Sequence, residues 1–298
     1  MRLMNQEKAG YFPLPPELVP IIGSHYTAPP GARILDPCAG KGAVLHQLAQ
    51  LHQMHPFGVE LNKDRAAQAQ QLLGPDNILQ DSYQNLLVPP GSFSVLYNNP
   101  PYLFVEDKTL GRAEYMWLRD TRAHLMPGGL LIYVIPRHLL HHTLASKYLA
   151  TWFDSLRVYR FPDGLYERFK QVIVFGIRRP KSGIADPERV EKLRRMGKGE
   201  LTIPELRLQE KPLYSVPPRP ERPFHFRSIF VSPKHAIAEA ARKGIVTGDT
   251  FKNHLEPTAT AQPLTPLAPL KIGHMNSIIA AGHLNNQVLQ ACTEQGRS

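Results

Sequence analysis

The sequence predicts an α/β domain with a mostly parallel sheet, followed by a basic, Pro-rich C-terminal region. Short apolar runs alternate with helix-like stretches through the first 180 residues, which is the pattern of such a sheet. Proline accounts for 29 of the 298 residues, about twice its average usage. Residues 1–150 carry 12 Lys and Arg against 11 Asp and Glu, whereas residues 151–298 carry 23 against 14. This split suggests that catalysis and polyanion binding are divided along the chain.

The expected strands are short aliphatic runs at the spacing of a parallel sheet. They cover, in order, residues 31–36, 56–60, 77–79, 93–97 and 130–135. Helices are expected between them at residues 43–54, 64–73 and 112–126, the last ended by the turn Pro127-Gly128-Gly129. Two β-rich runs, at residues 156–161 and 171–178, then predict a closing antiparallel pair.

The composition changes after Arg179. Residues 188–196 are expected to form a helix with Asp186 as N-cap, Pro187 at N1 and Gly197 as its C-terminal glycine. Residues 202–223 contain six prolines among charges, which is typical of an extended arm or linker. Such an arm can also pack back on the first domain and cover apolar surface there. A strand is expected at residues 224–231, and helices at residues 233–244 and 278–288.

Several classes of protein are excluded by what the sequence lacks. No apolar run approaches the ~18–20 residues of a membrane span, and the longest, Leu130 to Pro136, has seven. The N-terminus has no apolar region of the kind that a secretion signal needs. Two cysteines, Cys38 and Cys292, cannot form a disulfide framework. We therefore expect a cytoplasmic protein without a membrane span.

A metal site is not expected, although the chain has 13 histidines. They include two local groups, but no acidic residue or cysteine completes either group at ligand spacing. These groups are His46, His52 and His55, and His138, His141 and His142.

A Gly-rich turn follows the first expected strand. Asp36-Pro37-Cys38-Ala39-Gly40-Lys41-Gly42 lies between that strand and a helix, where open α/β sheets bind ligands and glycines permit close approach of the backbone. It is not a phosphate-binding P-loop, because Lys41 is followed by glycine. It is also not a complete dinucleotide fingerprint, because Leu45 takes the third glycine position. Taken alone, the turn is equally compatible with a purely structural role.

Two acidic residues follow the next two strands. Glu60 ends the second strand, where a carboxylate can accept both hydroxyls of a ribose. Asp81 follows the third strand and is placed to accept a hydrogen bond from an adenine amino group. Together with the Gly-rich turn, they indicate a nucleoside-containing ligand.

A second motif, Asn99-Pro100-Pro101-Tyr102, follows the fourth strand. The prolines fix the backbone, so the Asn99 side chain and the Pro100 carbonyl would be held rigidly at the sheet edge. An amino group conjugated with its ring is a poor nucleophile, and two acceptors aimed at its N–H bonds free its lone pair for attack. Tyr102 offers a flat face on which an extruded base can stack. The alternative is a Pro-rich loop that closes a strand.

These two motifs together resemble class I S-adenosylmethionine-dependent methyltransferases, and more narrowly the amino-methylating DNA adenine-N6 enzymes. Three further segments are similar to that group: Gly10-Tyr11-Phe12-Pro13-Leu14-Pro15, Pro127-Gly128-Gly129 and Phe169-Lys170-Gln171-Val172. The resemblance covers residues 8–180, about 60% of the chain. It implies a Rossmann-like seven-stranded sheet whose last strand is antiparallel, with S-adenosylmethionine as the cofactor.

The resemblance also implies roles for individual residues. Cofactor-binding residues would be Asp36, Ala39, Gly40 and Gly42 at the methionine end, Glu60 at the ribose, Asp81 at the adenine, and Tyr11, Phe12 and Pro13 over the cofactor. Catalysis would fall to Asn99, Pro100, Pro101 and Tyr102. Many DNA adenine enzymes have Asp at the first catalytic position. Asn also occurs in enzymes that methylate glutamine amides or guanine amino groups, so the acceptor is less defined than the cofactor.

Three hypotheses follow. The first is a DNA adenine-N6 methyltransferase made of a cofactor-binding domain, residues 1–180, and a substrate-recognition region, residues 181–298. The second is a methyltransferase for an RNA base amine or a protein glutamine amide, and the third is a non-catalytic DNA-binding relative. A basic run, Arg178-Arg179-Pro180-Lys181, is continued by Arg194, Arg195 and Lys198 and favours a nucleic-acid partner.

Overall fold

A computed structural model describes residues 13–101 and 112–229. The chain divides into two compact units, residues 1–231 and 232–298, and the described residues all lie in the first. The strands are β1 (Tyr26–Thr27), β2 (Arg33–Asp36), β3 (His55–Glu60), β4 (Ile78–Gln80), β5 (Leu86–Leu87), β6 (Phe93–Asn98), β7 (Leu125–Pro136), β8 (Phe153–Arg160), β9 (Gln171–Arg178), β10 (Tyr214–Ser215) and β11 (Arg227–Ser228). The helices are α1 (Leu18–Gly23), α2 (Ala43–Leu51), α3 (Lys63–Leu73), α4 (Ala113–Thr121), α5 (Thr143–Trp152), α6 (Leu165–Phe169) and α7 (Pro187–Lys198).

Seven strands form the central sheet in the order β4-β3-β2-β6-β7-β9-β8. Strand β9 runs antiparallel to both β7 and β8, and the other neighbouring strands are parallel. The Rossmann-like seven-stranded sheet and the closing antiparallel pair expected from the sequence are confirmed.

Both faces of the sheet are buried, which explains why its central strands are continuous apolar runs. Successive residues of a strand point to opposite faces, so each strand contributes to two cores. Ile34 and Val95 belong to one core, whereas their chain neighbours Leu35 and Leu96 belong to the other. This double burial fixes the register of the strands, and therefore the alignment of their carboxyl ends.

The helix expected at residues 112–126 is shorter than the sequence indicated. It ends at Thr121, a 3-10 turn spans Arg122–His124, and β7 begins at Leu125. Pro127-Gly128-Gly129 therefore lies within the first part of β7 and does not end the helix. Leu125 already pairs with Phe93, and the register then shifts before Val95 pairs with Leu130.

Helix α7 has the expected N-terminus but a different end. The Asp186 carboxylate accepts a hydrogen bond from the Glu188 amide at 3.0 Å, and Pro187 occupies the first turn. The left-handed C-terminal residue is Gly199, with φ of 88°. Gly197 lies inside the helix, where a Cβ atom would come within 2.3 Å of the His141 amide nitrogen. Glycine is required at position 197 because the helix packs closely against the turn Arg137–His141, and not because the helix ends there.

The Pro-rich arm, residues 202–223, packs back on the first unit. Strand β10 pairs with β1, and the Tyr214 ring stacks on Phe175 with centroids 5.8 Å apart. Leu206 and Val216 are buried in the same core. Of the strand expected at residues 224–231, the described part up to residue 229 contains β11, which pairs with β5. Packed chain therefore continues past residue 180 to Ser228, and the helices expected at residues 233–244 and 278–288 lie outside the described residues.

Candidate active site

The strand order brings the sequence-predicted residues to one edge of the sheet. Asp36 ends β2 and Glu60 ends β3, while Asp81 follows β4 and Asn99 follows β6. Because β4, β3, β2 and β6 are parallel neighbours, these four residues follow one another along the carboxyl edge.

The Gly-rich turn is held by backbone conformation and by its neighbours. Gly40 and Gly42 have φ of 57° and 81°, in the left-handed region that favours glycine. The Ala39 amide donates to the Val59 carbonyl at 2.9 Å, which joins the turn to β3. A Cβ atom on Gly42 would lie 3.1 Å from side-chain atoms of Ala69 and Leu73 in α3.

Asp36 is a buried carboxylate beside this turn, with 3% of its surface exposed. Its Oδ1 accepts a hydrogen bond from the Cys38 amide at 2.9 Å. Burial raises the pKa of Asp36 to about 7, and the Glu60 charge adds to the rise although the hydrogen bonds from Cys38 oppose it. A cationic ligand at this position would restore the ionised form.

Glu60 is fixed by four hydrogen bonds from three residues. Its Oε2 accepts from the Gly40 amide at 2.9 Å. Its Oε1 accepts from the Asn62 amide at 2.8 Å and from the Arg65 side chain at 2.7 and 3.1 Å. Arg65 was not expected from the sequence as a partner of Glu60. Its position in the first turn of α3, five residues after Glu60, is the signal that could have indicated this role.

Asp81 is held by Ser228 in β11 as well as by its own loop. Its Oδ1 accepts from the Ser82 amide at 2.6 Å and from the Asn85 side chain at 2.7 Å, and its Oδ2 accepts from the Ser228 hydroxyl. Burial alone would raise the pKa of Asp81, but hydrogen bonds from Ser228, Asn85 and Ser82 outweigh it and lower the pKa. Ser228 lies 147 residues away, so no local pattern could have revealed it.

Cys38 connects the Gly-rich turn to the second motif. Its thiol donates a hydrogen bond to the Asn99 carbonyl oxygen at 2.9 Å. Burial raises the pKa of this thiol well above its usual range, and the charges of Asp36 and Glu60 raise it further. Cys38 is therefore a protonated donor.

The second motif is described through Pro101. Pro100 is buried, and Asn99 and Pro101 are half-buried. The preceding Asn98 is fully buried in β6 and donates through Nδ2 to Thr121 Oγ1 at 3.3 Å. Tyr102, Tyr11 and Phe12 lie outside the described residues. Pro13 is exposed, and the next residue, Leu14, is anchored in the core.

A buried ion pair near the same edge was not foreseen from the sequence. Glu114, at the start of α4, is fully buried and binds the Arg112 guanidinium at 2.6 and 3.1 Å. Burial, followed by the charge of Arg112, lowers the pKa values of His138 and His142. These histidines are consequently neutral at pH 7.

In residues 13–101 and 112–229, no three His, Cys, Asp or Glu side chains are grouped so that they could hold a metal ion. The same part of the chain has no helix with the length and apolar character required to cross a membrane.

Residues 1–219 match DUF6094, which is described as an uncharacterised methyltransferase family. The chain belongs to this family. S-adenosylmethionine is the cofactor of this methyltransferase. No curated protein sequence matches the chain.

Solved structures with a similar fold are distant in sequence. A type I restriction-modification methyltransferase subunit from Streptococcus thermophilus has 15% identity and a TM-score of 0.45, over 68% of this chain and 57% of that one. The M protein of the type I restriction enzyme EcoKI has 18% identity and a TM-score of 0.44, over 58% and 46%. An S-adenosylmethionine-dependent O-methyltransferase from Thermotoga maritima has 17% identity and a TM-score of 0.44, over 61% and 71%. The chain spans about half the length of the two restriction-modification subunits.

The residues at the carboxyl edge fit S-adenosylmethionine. Asp36 is a buried carboxylate whose raised pKa is suited to a neighbouring ammonium or sulfonium. The left-handed glycines leave the turn free of side chains where the methionine part would approach. Asp81, with its lowered pKa, is an ionised acceptor for an amino group. Acidic and backbone groups are therefore present for the cationic and the nucleoside parts of the molecule.

Proposed function

We propose that this methyltransferase modifies an exocyclic amino group of a nucleic-acid base, and specifically adenine N6 in DNA. The observation that carries the proposal is the bond between Cys38 and the Asn99 carbonyl. It ties the Asn-Pro-Pro segment to the turn that would hold the methionine end of the cofactor. A rigid acceptor pair next to the methyl donor is what an unreactive ring amine requires.

In the proposed mechanism, the Asn99 side-chain oxygen and the Pro100 carbonyl accept hydrogen bonds from the two N–H groups of the target amine. These bonds draw the nitrogen out of conjugation and free its lone pair. When bound, S-adenosylmethionine supplies an activated methyl group, whose carbon–sulfur bond breaks as the carbon–nitrogen bond forms. The methylated amine then loses one proton to water.

Charge supports a polyanionic substrate. Residues 151–298 carry 23 Lys and Arg against 14 Asp and Glu. Most of this excess belongs to the first unit, because residues 232–298 carry only six against four. A net positive charge on the unit that holds the candidate active site favours nucleic acid over a neutral protein substrate.

The test is incubation of the full chain with methyl-labelled S-adenosylmethionine and, separately, DNA, RNA and a glutamine-rich protein mixture. Mass spectrometry then identifies the modified nucleoside or residue. We expect N6-methyladenine from DNA with the natural enzyme. Label in RNA or in glutamine would replace the DNA assignment, and binding of DNA without any transfer would favour the non-catalytic alternative.

Asn99→Ala is the matched variant for that experiment. It should lower turnover by orders of magnitude and leave cofactor affinity nearly unchanged, because Asn99 acts on the target amine. Asn77→Ala, a substitution of an amide that binds the Leu73 carbonyl away from the sheet's carboxyl edge, controls for general loss of fold. Near-normal transfer by Asn99→Ala would contradict the mechanism.

A further inference from the structure

Three arginines meet at the amino-terminal edge of the sheet, opposite the active site. Arg33 begins β2, and its register partner in β3 is His55. Arg219 donates from Nη1 to His55 Nδ1 at 3.4 Å, and Arg222 donates from Nη2 to the Pro90 carbonyl just before β6. Because β3, β2 and β6 are neighbours, the two arm residues come to the strand ends on either side of Arg33.

Arg33 is unusual because its guanidinium is buried and has no counter-ion among residues 13–101 and 112–229. Only 7% of the residue is exposed, and Nη1 is a buried donor that lacks a hydrogen-bond partner among the residues that the structure describes. The guanidinium carbon lies 4.0 Å from the centre of the Phe224 ring, which itself packs against Phe57 and Phe93. None of the three arginines forms an ion pair with any residue in the described part of the chain.

This arrangement is unfavourable for the protein alone. A buried charge ordinarily has a partner, because desolvation is costly when no opposite charge compensates it. Burial lowers the pKa of Arg33, and the charges of Arg219 and Arg222 lower it further. The fold thus brings positive groups together around a buried one. Packing alone does not require a charged residue at position 33, because an apolar side chain would fill the space against Phe224 equally well.

We infer that Arg33, Arg219 and Arg222 form a binding site for a phosphate group. A tetrahedral oxyanion supplies the acceptors that the buried guanidinium lacks, and the planar fork of arginine matches phosphate in geometry. Arg219 and Arg222 are exposed, so they can approach a ligand from solvent while Arg33 stays fixed by its aromatic contact.

The site is distinct from the place where methyl transfer would occur. A six-residue strand such as β6 is about 20 Å long, so the bound phosphate is not the one beside the reacting base. The phosphate belongs either to a nucleic-acid backbone or to a free phosphorylated small molecule. The nucleic-acid source rests on the proposed function, whereas the phosphate site itself does not.

The first experiment measures binding of inorganic phosphate and pyrophosphate to the full chain by calorimetry and ³¹P NMR at low ionic strength. Arg219→Ala combined with Arg222→Ala removes two exposed ligands and should weaken binding roughly tenfold or more. Arg207→Ala combined with Lys211→Ala removes the same charge from exposed positions elsewhere in the arm and should leave binding unchanged. Equal affinities in the two double variants, or no binding by the natural protein, would overturn the proposal.

Arg33→Met provides a second readout, because methionine keeps much of the packing volume and removes the charge. Without phosphate, this variant should unfold at the same temperature as the natural protein or higher, since an unpaired buried charge is gone. Phosphate should raise the melting temperature of the natural protein and not that of the variant. A lower melting temperature with an unchanged response to phosphate would show that Arg33 is structural only.

A single-stranded oligonucleotide distinguishes the two sources. If the nucleic-acid backbone occupies the site, the oligonucleotide displaces pyrophosphate. The slope of log affinity against log salt concentration is then shallower in the Arg219 and Arg222 double variant, by ~0.7 for each phosphate that this variant no longer neutralises. An unchanged slope, in a double variant that no longer binds pyrophosphate, assigns the site to a free phosphorylated molecule. Loss of phosphate binding with methyl transfer intact separates this site from the proposed function.

Discussion

Asp36 is almost fully buried at the end of β2, and burial raises its pKa to about 7. Below that pH the carboxyl group is neutral and cannot pair with a cation. We therefore expect the affinity for S-adenosylmethionine to fall about tenfold from pH 8 to pH 6, as measured by calorimetry. Asp36→Asn removes the titrating carboxyl group of the protein and leaves any titration of the ligand. The affinity of this variant for S-adenosylmethionine should be weaker and should depend little on pH. An equally steep pH profile in that variant would exclude Asp36 as the titrating group.

The same raised pKa affects folding, with a sign opposite to that of an ordinary paired carboxylate. The folded state binds a proton between about pH 4 and pH 7 that the unfolded state releases. The free energy of unfolding contributed by Asp36 therefore falls as pH rises through this window, by up to about 1.4 kcal/mol per pH unit. Urea denaturation of the natural protein and of Asp36→Asn across that range measures the difference.

Cys38 supports the second motif through a single hydrogen bond to the Asn99 carbonyl. Cys38→Ala should lower the free energy of unfolding by about 0.5–1.5 kcal/mol and reduce turnover more than cofactor affinity. Cys38→Ser retains a donor and should recover much of the turnover. Equal turnover in the Ala and Ser variants would mean that the bond does not position Asn99. The raised pKa also predicts slow alkylation of this thiol at pH 8 in the folded protein.

At the scale of elements, the junction of β2 with α2 depends on Gly42. Its φ of 81° is unfavourable for other residues, and a Cβ atom would press against Ala69 and Leu73 of α3. Gly42→Ala should lower the free energy of unfolding by about 1–3 kcal/mol and weaken cofactor binding. Gly31→Ala is the control, because Gly31 has φ of 76° with no atom within 4 Å of an added Cβ. The difference between the two variants, measured by urea denaturation, isolates the contact with α3.

The arm also acts as an element of the fold. Tyr214 stacks on Phe175 and donates a hydrogen bond to the Ser155 carbonyl at 2.8 Å, so the arm covers the antiparallel part of the sheet. Just after the arm, Phe224 and Phe226 cover the other core beside Phe57. These aromatic contacts explain why the arm packs on the domain although its prolines prevent regular secondary structure.

At the scale of the whole molecule, the arm determines where the chain can be divided. A protein ending at Arg179 would lose α7, β10 and β11 and expose both cores, so it should fail to show a cooperative thermal transition. A protein ending at Val231 keeps the first unit and should bind S-adenosylmethionine with unchanged affinity. It should also retain most of its affinity for polynucleotide, because residues 232–298 hold only six Lys and Arg against four Asp and Glu. A loss of salt-dependent binding in that protein would instead assign recognition to residues 232–298.

The local sequence indicated the seven strands of the central sheet, their order along the chain and the residues at the carboxyl ends of the first four. The reason is that local apolar runs, glycine turns and proline motifs are encoded within a few residues of one another. Tertiary structure decided what distant segments do: Ser228 binds Asp81, Tyr214 covers Phe175, and Arg219 and Arg222 approach Arg33. A Pro-rich arm has no periodic pattern, so only its packing on the domain reveals that it belongs to the fold. The helix end at Thr121 was likewise decided by strand pairing, since Leu125 pairs with Phe93 before the glycines that should have ended the helix.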